Sequence, residues 1–145
     1  MKPVTRRFSL SMIAGAAAAS TLRGSAASND LADPALAAIA KHRQASADHL
    51  SSIYAVDDTH PRTDERYDAE DHNEACCVAA WDAAWDLATT IPTTLAGVAA
   101  VLRYANECED HGEEWPDTDA IGRDGWHYQL RQSAARALEA LQGMV

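Results

Sequence analysis

Six histidines stand among 22 Asp and Glu residues in this 145-residue chain, together with three cysteines. Imidazole, thiolate and carboxylate are the usual protein ligands of zinc and related metals. The same groups serve as acids, bases and nucleophiles. Spacing decides which chemistry is open to them. His42 and His49 are seven apart, so they share a helix face two turns apart, with Asp48 nearby. A rise of ~10 Å is too long for two ligands of one ion on a straight helix. His72 lies near Asp68, Asp71 and Glu74, and His111 lies near Glu107 and Asp110. Those groups offer local ligands, yet neither HExxH nor the paired Glu-x-x-His pattern of di-iron bundles occurs. A solvated polar face is the reading these spacings support, and neither a metal site nor a cofactor is expected.

Asp117-Thr118-Asp119-Ala120-Ile121-Gly122 imitates the start of a calcium loop, with acids at positions 1 and 3 and Gly at position 6. Ile121 stands where an oxygen ligand is required and Tyr128 where the bidentate Glu should be, so the pattern fails. There is no GxSxG elbow, phosphate-binding glycine loop or GxGxxG. Cys108 and His111 are one helical turn apart, but no third group can be named to orient them. Trp115-Pro116 and Trp126-His127 bracket the acidic loop. They suit an aromatic cap on a helical core better than an edge for a partner or apolar ligand.

These residues must be positioned by helices. Gly and Pro cluster at breaks, and no long alternating Val/Ile/Thr run reads as a strand. Asp33-Pro34 starts the first helix, to about Ala55, with Leu36, Ile39, Ala47, Leu50 and Ile53 inward and Arg43 at the edge of the stripe. The second begins near Tyr67 or Asp71 and runs to about Thr89 on Val78, Trp81, Trp85 and Ala88, with Cys77 adjoining. After Ile91-Pro92, Thr93 or Thr94 caps a third helix to about Asp110, presenting Leu95, Val98, Val101, Leu102, Ala105 and Cys108. The fourth spans about Trp126 to Leu141, with Trp126, Leu130, Ala134, Ala137, Leu138 and Leu141 inward. The expected fold class is all-α: antiparallel helical hairpins forming a three- or four-helix bundle after an N-terminal signal segment.

A hairpin about Pro92 would place Cys77, 15 residues before it, level with Cys108, 16 residues after it. A Cys77–Cys108 disulfide is therefore the expectation in an oxidising compartment. A Cys76–Cys108 bridge and buried free thiols are the alternatives.

Charge divides the chain. Residues 1–27 hold Lys2, Arg6, Arg7 and Arg23 and no acid, leaving eight Lys and Arg against all 22 acids. The basic start, the Ala-rich stretch from Ser9 to Leu22 and the small residues Gly24-Ser25-Ala26-Ala27 are the three parts of a cleaved export signal. Thr5, Arg6, Arg7 and Leu10 fit the twin-arginine (Tat) pattern, whereas Ser9 and Ser11 replace its usual Phe and Lys. The expected organisation is a Tat-like signal over 1–27 and one helical domain over 28–145. The apolar stretch is shorter than the ~20 residues of a membrane span, so no stable anchor is expected. A formal net charge of −10 argues against nucleic acid as a partner.

Pro92-Thr93-Thr94-Leu95-Ala96-Gly97-Val98-Ala99-Ala100-Val101-Leu102-Arg103-Tyr104-Ala105, then Glu107, Glu109, Gly112 and Trp115-Pro116, form a distinctive segment. With Asp33-Pro34, Ile39-Ala40, His42 and Arg43, the chain resembles a group of small uncharacterised proteins from rhizobia and related alphaproteobacteria. Members often carry a twin-arginine-like leader. That resemblance implies no activity and brings no catalytic residues. The sequence therefore points only in outline to a small exported, non-catalytic protein of unknown role: a helical interaction or structural module in the periplasm. Its expected partners are the Tat machinery, through the signal, and a protein partner. The alternatives are a periplasmic metal- or small-ligand-binding protein, a hydrolase with unidentified residues, and a cytoplasmic location if the first segment is not a working signal.

Overall fold

A computed structural model describes residues 33–143, and the expected signal residues Thr5, Arg6, Arg7 and Leu10 lie outside them. Four helices follow in order: α1 (Pro34–Asp57), α2 (Asp64–Thr89), α3 (Leu95–Asp110) and α4 (Trp126–Gln142). The all-α bundle is as the sequence predicts. α2 starts earlier than expected because Thr63 caps it, its hydroxyl oxygen accepting from the Arg66 N–H.

The start of the bundle is tied by one carboxylate. Asp33 is buried and caps α1, its Oδ1 accepting from the Ala35 N–H at 2.9 Å. Its Oδ2 accepts from the N–H groups of Thr93 and Thr94, at 3.2 and 2.9 Å, and from the Thr94 hydroxyl at 2.7 Å. The Thr94 oxygen in turn accepts from the Gly97 N–H at 2.9 Å, capping α3. Two helix N-termini thus share one negative charge, which suits the positive end of each helix dipole. A Cβ at Gly97 would overlap the Asp33 carboxylate, so that position requires glycine for close approach.

From this node α1 and α3 run side by side in the same direction, while α2 returns antiparallel to α1. Lys41 pairs with Asp86 near one end of the α1–α2 hairpin, and Asn73 donates to Ser52 near the other. α4 packs on α2, where the Trp126 indole N–H donates to the Ala84 carbonyl and Ser133 donates to the Ala88 carbonyl, both at 2.7 Å. The main helix contacts are α1–α2, α2–α4 and α1–α3, with α3–α4 slighter. α2 and α3 therefore occupy opposite corners, although a five-residue link joins them. The expected packed hairpin about Pro92 does not form.

Buried faces also differ from the expected stripes. α1 buries Ala35, Ala38 and His42, and α2 buries Ala80, Ala83, Ala84, Leu87 and Ala88. Leu50, Val78 and Trp81 are more than half exposed, and Leu95 and Leu102 of α3 also face outward. The alanine faces win because small side chains let backbones approach closely, and the volume between them is filled from α3, α4 and the acidic loop. Tyr104, Trp115, Trp126 and Leu130 supply that filling.

The capping node yields a coupled prediction. Asp33→Ala should destabilise the fold by about 2–4 kcal/mol, since it strands several donors at once. Gly97→Ala should cost about 1–3 kcal/mol alone and far less in the Asp33→Ala background, where the obstructing carboxylate is gone. Burial alone would raise the Asp33 pKa, but the Thr94 hydroxyl and the N–H groups of Ala35, Thr93 and Thr94 outweigh it and lower it. Folded Asp33 therefore holds its proton less tightly than unfolded Asp33. Its contribution is fully present above the ordinary value of 3.8 and is lost as the pH falls through the lower folded value. Urea midpoints measured from roughly pH 5 to pH 2 should fall less steeply for Asp33→Asn than for the natural chain. Additive single and double variants, or parallel pH curves, would contradict the shared cap.

Candidate functional site

α3 ends in a reversal that carries chemistry. His111 is its C-cap and Gly112 adopts φ 79°, the left-handed conformation that favours glycine. The Gly112 N–H donates to the Glu109 carbonyl and the Glu113 N–H to the Cys108 carbonyl, both at 2.9 Å. This is the Schellman pattern of helix termination. It turns the chain back so that Glu113 lies beside Cys108, one turn from the end of α3. Two residues on, Trp115 stacks on Trp126 with centroids 3.9 Å apart and planes 5° from parallel. It also meets His42, 4.9 Å away, and the edge of Tyr104 at 6.5 Å. The two tryptophans are buried, so they cap the core as the sequence suggests.

His42 reaches this place from α1. Its Nδ1 and the Tyr104 hydroxyl are 2.9 Å apart, a buried hydrogen bond whose donor is set by the imidazole tautomer. Arg43 lies over the Tyr104 ring at 5.0 Å and pairs with Glu107 at 3.5 Å. His42, Cys108 and Glu113 each present one ligand-type atom, and all three lie within 4.8 Å of one another. His42 and Cys108 are buried and Glu113 is exposed. Two helices and one loop thus converge a nitrogen, a sulfur and a carboxylate oxygen.

The environment fixes their protonation. Burial lowers the His42 pKa, against the opposing pull of Glu113, and so favours the neutral imidazole. Burial pushes the Cys108 thiol up to about 11; the Tyr104 hydrogen bond opposes this, while Glu113 and Glu107 add to it. Burial, with Cys108 and Glu113 beside it, likewise raises the Tyr104 phenol. At neutral pH the cluster thus holds a neutral imidazole, a protonated thiol and a phenol beside the Glu113 side chain. A thiol held this way is a poor nucleophile, which weighs against cysteine-based hydrolysis at Cys108.

The cluster opens into a cleft of about 650 Å³ between α1, α2, the end of α3 and the acidic loop. α1 and α2 are 24 and 26 residues long against 16 for α3, so their hairpin projects beyond it. Leu50 and Ile53 of that projection form an apolar outer wall with Trp81 of α2, while His111, Glu113 and Glu114 line the loop side. The volume lies within the range of small-molecule sites.

Other sequence expectations fare differently. His49 and His111 both line the cleft, whereas His72 sits elsewhere, with its Nε2 3.6 Å from Cys76 Sγ. Asp117 and Asp119 remain in an exposed loop, with Ile121 almost fully exposed at 97%. Cys76, Cys77 and Cys108 are free thiols, so neither the Cys77–Cys108 bridge nor the Cys76–Cys108 alternative is made. Equal height about Pro92 does not bring sulfurs together when the helices stand on opposite corners. The convergence of His42 with Cys108 and Glu113 is not readable from spacing, because 66 and 71 residues separate them. The available signal is the interval Ala35, Ala38, His42, which puts a histidine on the small-residue face of α1.

No protein-family model, curated protein or solved structure matches this chain.

Thiol labelling tests the geometry. In the folded protein Cys108 should react with Ellman's reagent roughly 100-fold more slowly than an ordinary exposed thiol, and equally fast after unfolding. Intact mass should not change on reduction. A gain of about 2 Da would mean a disulfide and would overturn the free-thiol arrangement.

Proposed function

We propose that this chain is a small exported binding protein that acts by recognition and not by turnover, with the α1–α2–α3 cleft as its recognition site. The observation that carries the reading is the division of that cleft into an apolar outer wall and an acidic, histidine-lined inner end. Leu50, Ile53 and Trp81 offer a surface for an apolar body, Trp81 being 54% exposed. Glu113 and Glu114 on the loop side offer negative charge for a cationic head, while Glu107 is already engaged by Arg43. A small amphipathic cation fits both walls, and an aromatic face beside carboxylates is a common way to hold one. The raised Cys108 pKa supports the non-catalytic half of the reading.

Export is part of the same proposal. It rests on the basic start with Thr5, Arg6, Arg7 and Leu10, the short apolar stretch and the small residues before Ser28. Among the described residues no helix is long and apolar enough to cross a membrane. Twin-arginine translocation followed by release into the periplasm agrees with both features, and the likeness to small rhizobial proteins with such leaders points the same way. A second reading, a protein-interaction module, is favoured by Tyr54, Tyr67 and Val78, which are exposed along the projecting hairpin.

Hexyltrimethylammonium titrated into the protein should change tryptophan fluorescence saturably, and Trp81→Leu should abolish the change. A signal that stays linear through the millimolar range, or that survives Trp81→Leu unaltered, would reject the cleft as the site. Separately, protein from the periplasmic fraction should have the intact mass of a chain starting near Ser28. Replacing Arg6 and Arg7 by Lys should leave the full-length chain in the cytoplasm. Full-length natural protein confined to the cytoplasm would reject export.

A further inference from the structure

We propose that the inner end of the cleft is a transition-metal site in which His42, Cys108 and Glu113 bind one divalent ion of the zinc class. The inference rests on the cleft being a recognition site, and it assigns a function to the buried polar groups beneath the apolar wall. Three observations carry it. The ligand-type atoms of the three residues already lie within 4.8 Å of one another. Around tetrahedral zinc such atoms stand about 3.4–3.8 Å apart, so each needs to shift inward by less than ~1 Å. That adjustment is within the range of side-chain torsions, and Glu113 is exposed and free to make most of it.

The second observation is the support around the histidine. The Tyr104 hydroxyl holds His42 Nδ1 at 2.9 Å, and Trp115 lies against the ring at 4.9 Å. A ligating imidazole is usually oriented by a hydrogen bond to its other nitrogen. With Nδ1 engaged by Tyr104, Nε2 is the nitrogen that remains free to take a metal. The third is the donor set itself. Hard ions such as calcium and magnesium prefer all-oxygen surroundings, whereas one nitrogen, one sulfur and one carboxylate oxygen suit a borderline ion such as Zn²⁺. All three residues also line the cleft. Three protein ligands leave the fourth tetrahedral position for water or a bound molecule, as in exchangeable zinc sites and unlike closed structural ones. Binding displaces the Cys108 proton to solvent and forms a sulfur–metal bond, with no change in oxidation state.

Cobalt(II) supplies the readout, because a cobalt–thiolate bond gives a near-ultraviolet charge-transfer band. The full chain, kept reduced, should bind one equivalent of Co²⁺ with that band, and Zn²⁺ should displace it. Cys108→Ser should remove the band, whereas a Cys76→Ser/Cys77→Ser variant should keep it. Glu113→Gln changes an exposed side chain, so it should leave helicity unchanged while weakening binding by at least tenfold. It keeps the proposal open to test if Cys108→Ser fails to fold. Tyr104→Phe should retain the band and lower the affinity about 10- to 100-fold, as loss of an orienting partner does. A band that persists in Cys108→Ser and vanishes in the double-cysteine variant would move the metal to His72 and Cys76 and overturn the proposal. So would unchanged affinity in Glu113→Gln, or no stoichiometric binding to the natural chain. If metal binding fails while hexyltrimethylammonium still quenches Trp81, the metal assignment alone falls; failure of both removes the recognition reading as well.

Discussion

Everything in this bundle is referred to the Asp33 carboxylate. A buried charge is costly unless its hydrogen-bonding capacity is filled, and here four donors fill it. Because those donors belong to the first turns of two different helices, the carboxylate does more than cap α1. It fixes where α3 begins relative to α1 and makes the two helices run in the same direction. His42 lies nine residues along α1 from Asp33, and Tyr104 lies ten along α3 from Thr94. At ~1.5 Å per residue the two side chains reach the same height, where they are hydrogen bonded. Cys108 follows one turn further on. The geometry of the cleft is thus set from the opposite end of the bundle.

How legible this was in the sequence depends on the range of the interaction. Local signals were sound: Asp33-Pro34 and Pro92-Thr93-Thr94 mark helix starts by capping chemistry, and Trp126 begins the last helix after a glycine-rich loop. Choice of buried face was not local. On α1 and α2 the large apolar residues Leu50, Val78 and Trp81 outweigh alanine in any hydrophobic count, yet the alanine faces are interior. Helices that pack closely bury small residues and leave the large ones for wherever space remains. For Leu50 that space is the overhang of a long hairpin beyond a shorter partner. A stripe read from one helix at a time cannot contain that information.

The site was illegible for a related reason. Its residues arrive on α1, on the last turns of α3 and on a reversal governed by Gly112, so no spacing motif joins them. The cysteines meet the same limit. Distance along the chain from Pro92 does not establish adjacency, and a short link does not make two helices neighbours. α2 and α3 are instead diagonal, with α1 and α4 between them. Heights compared along an axis say nothing about which corner a helix occupies, and Cys108 consequently faces His42 and Glu113.

Packing alone does not account for the groups at that corner. A core closed only by apolar contact would be served by aliphatic side chains at positions 42 and 108, which add no polar atoms to bury. Instead the chain places an imidazole and a thiol inside, supports the imidazole with a phenol, and uses a glycine-dependent reversal to bring a carboxylate against both. Tyr104 and His42 satisfy each other, so the first pair carries little penalty. The thiol beside Glu113 is different. A carboxylate there raises the pKa of the thiol, and Glu113 forms no ion pair among the described residues. Positive charge placed between sulfur and carboxylate would offset the effect of Glu113 on the thiol and give the two groups a shared counter-ion. A sulfur and a carboxylate oxygen brought together beside an imidazole are the groups a cation would use, and the cleft that all three line opens to solvent.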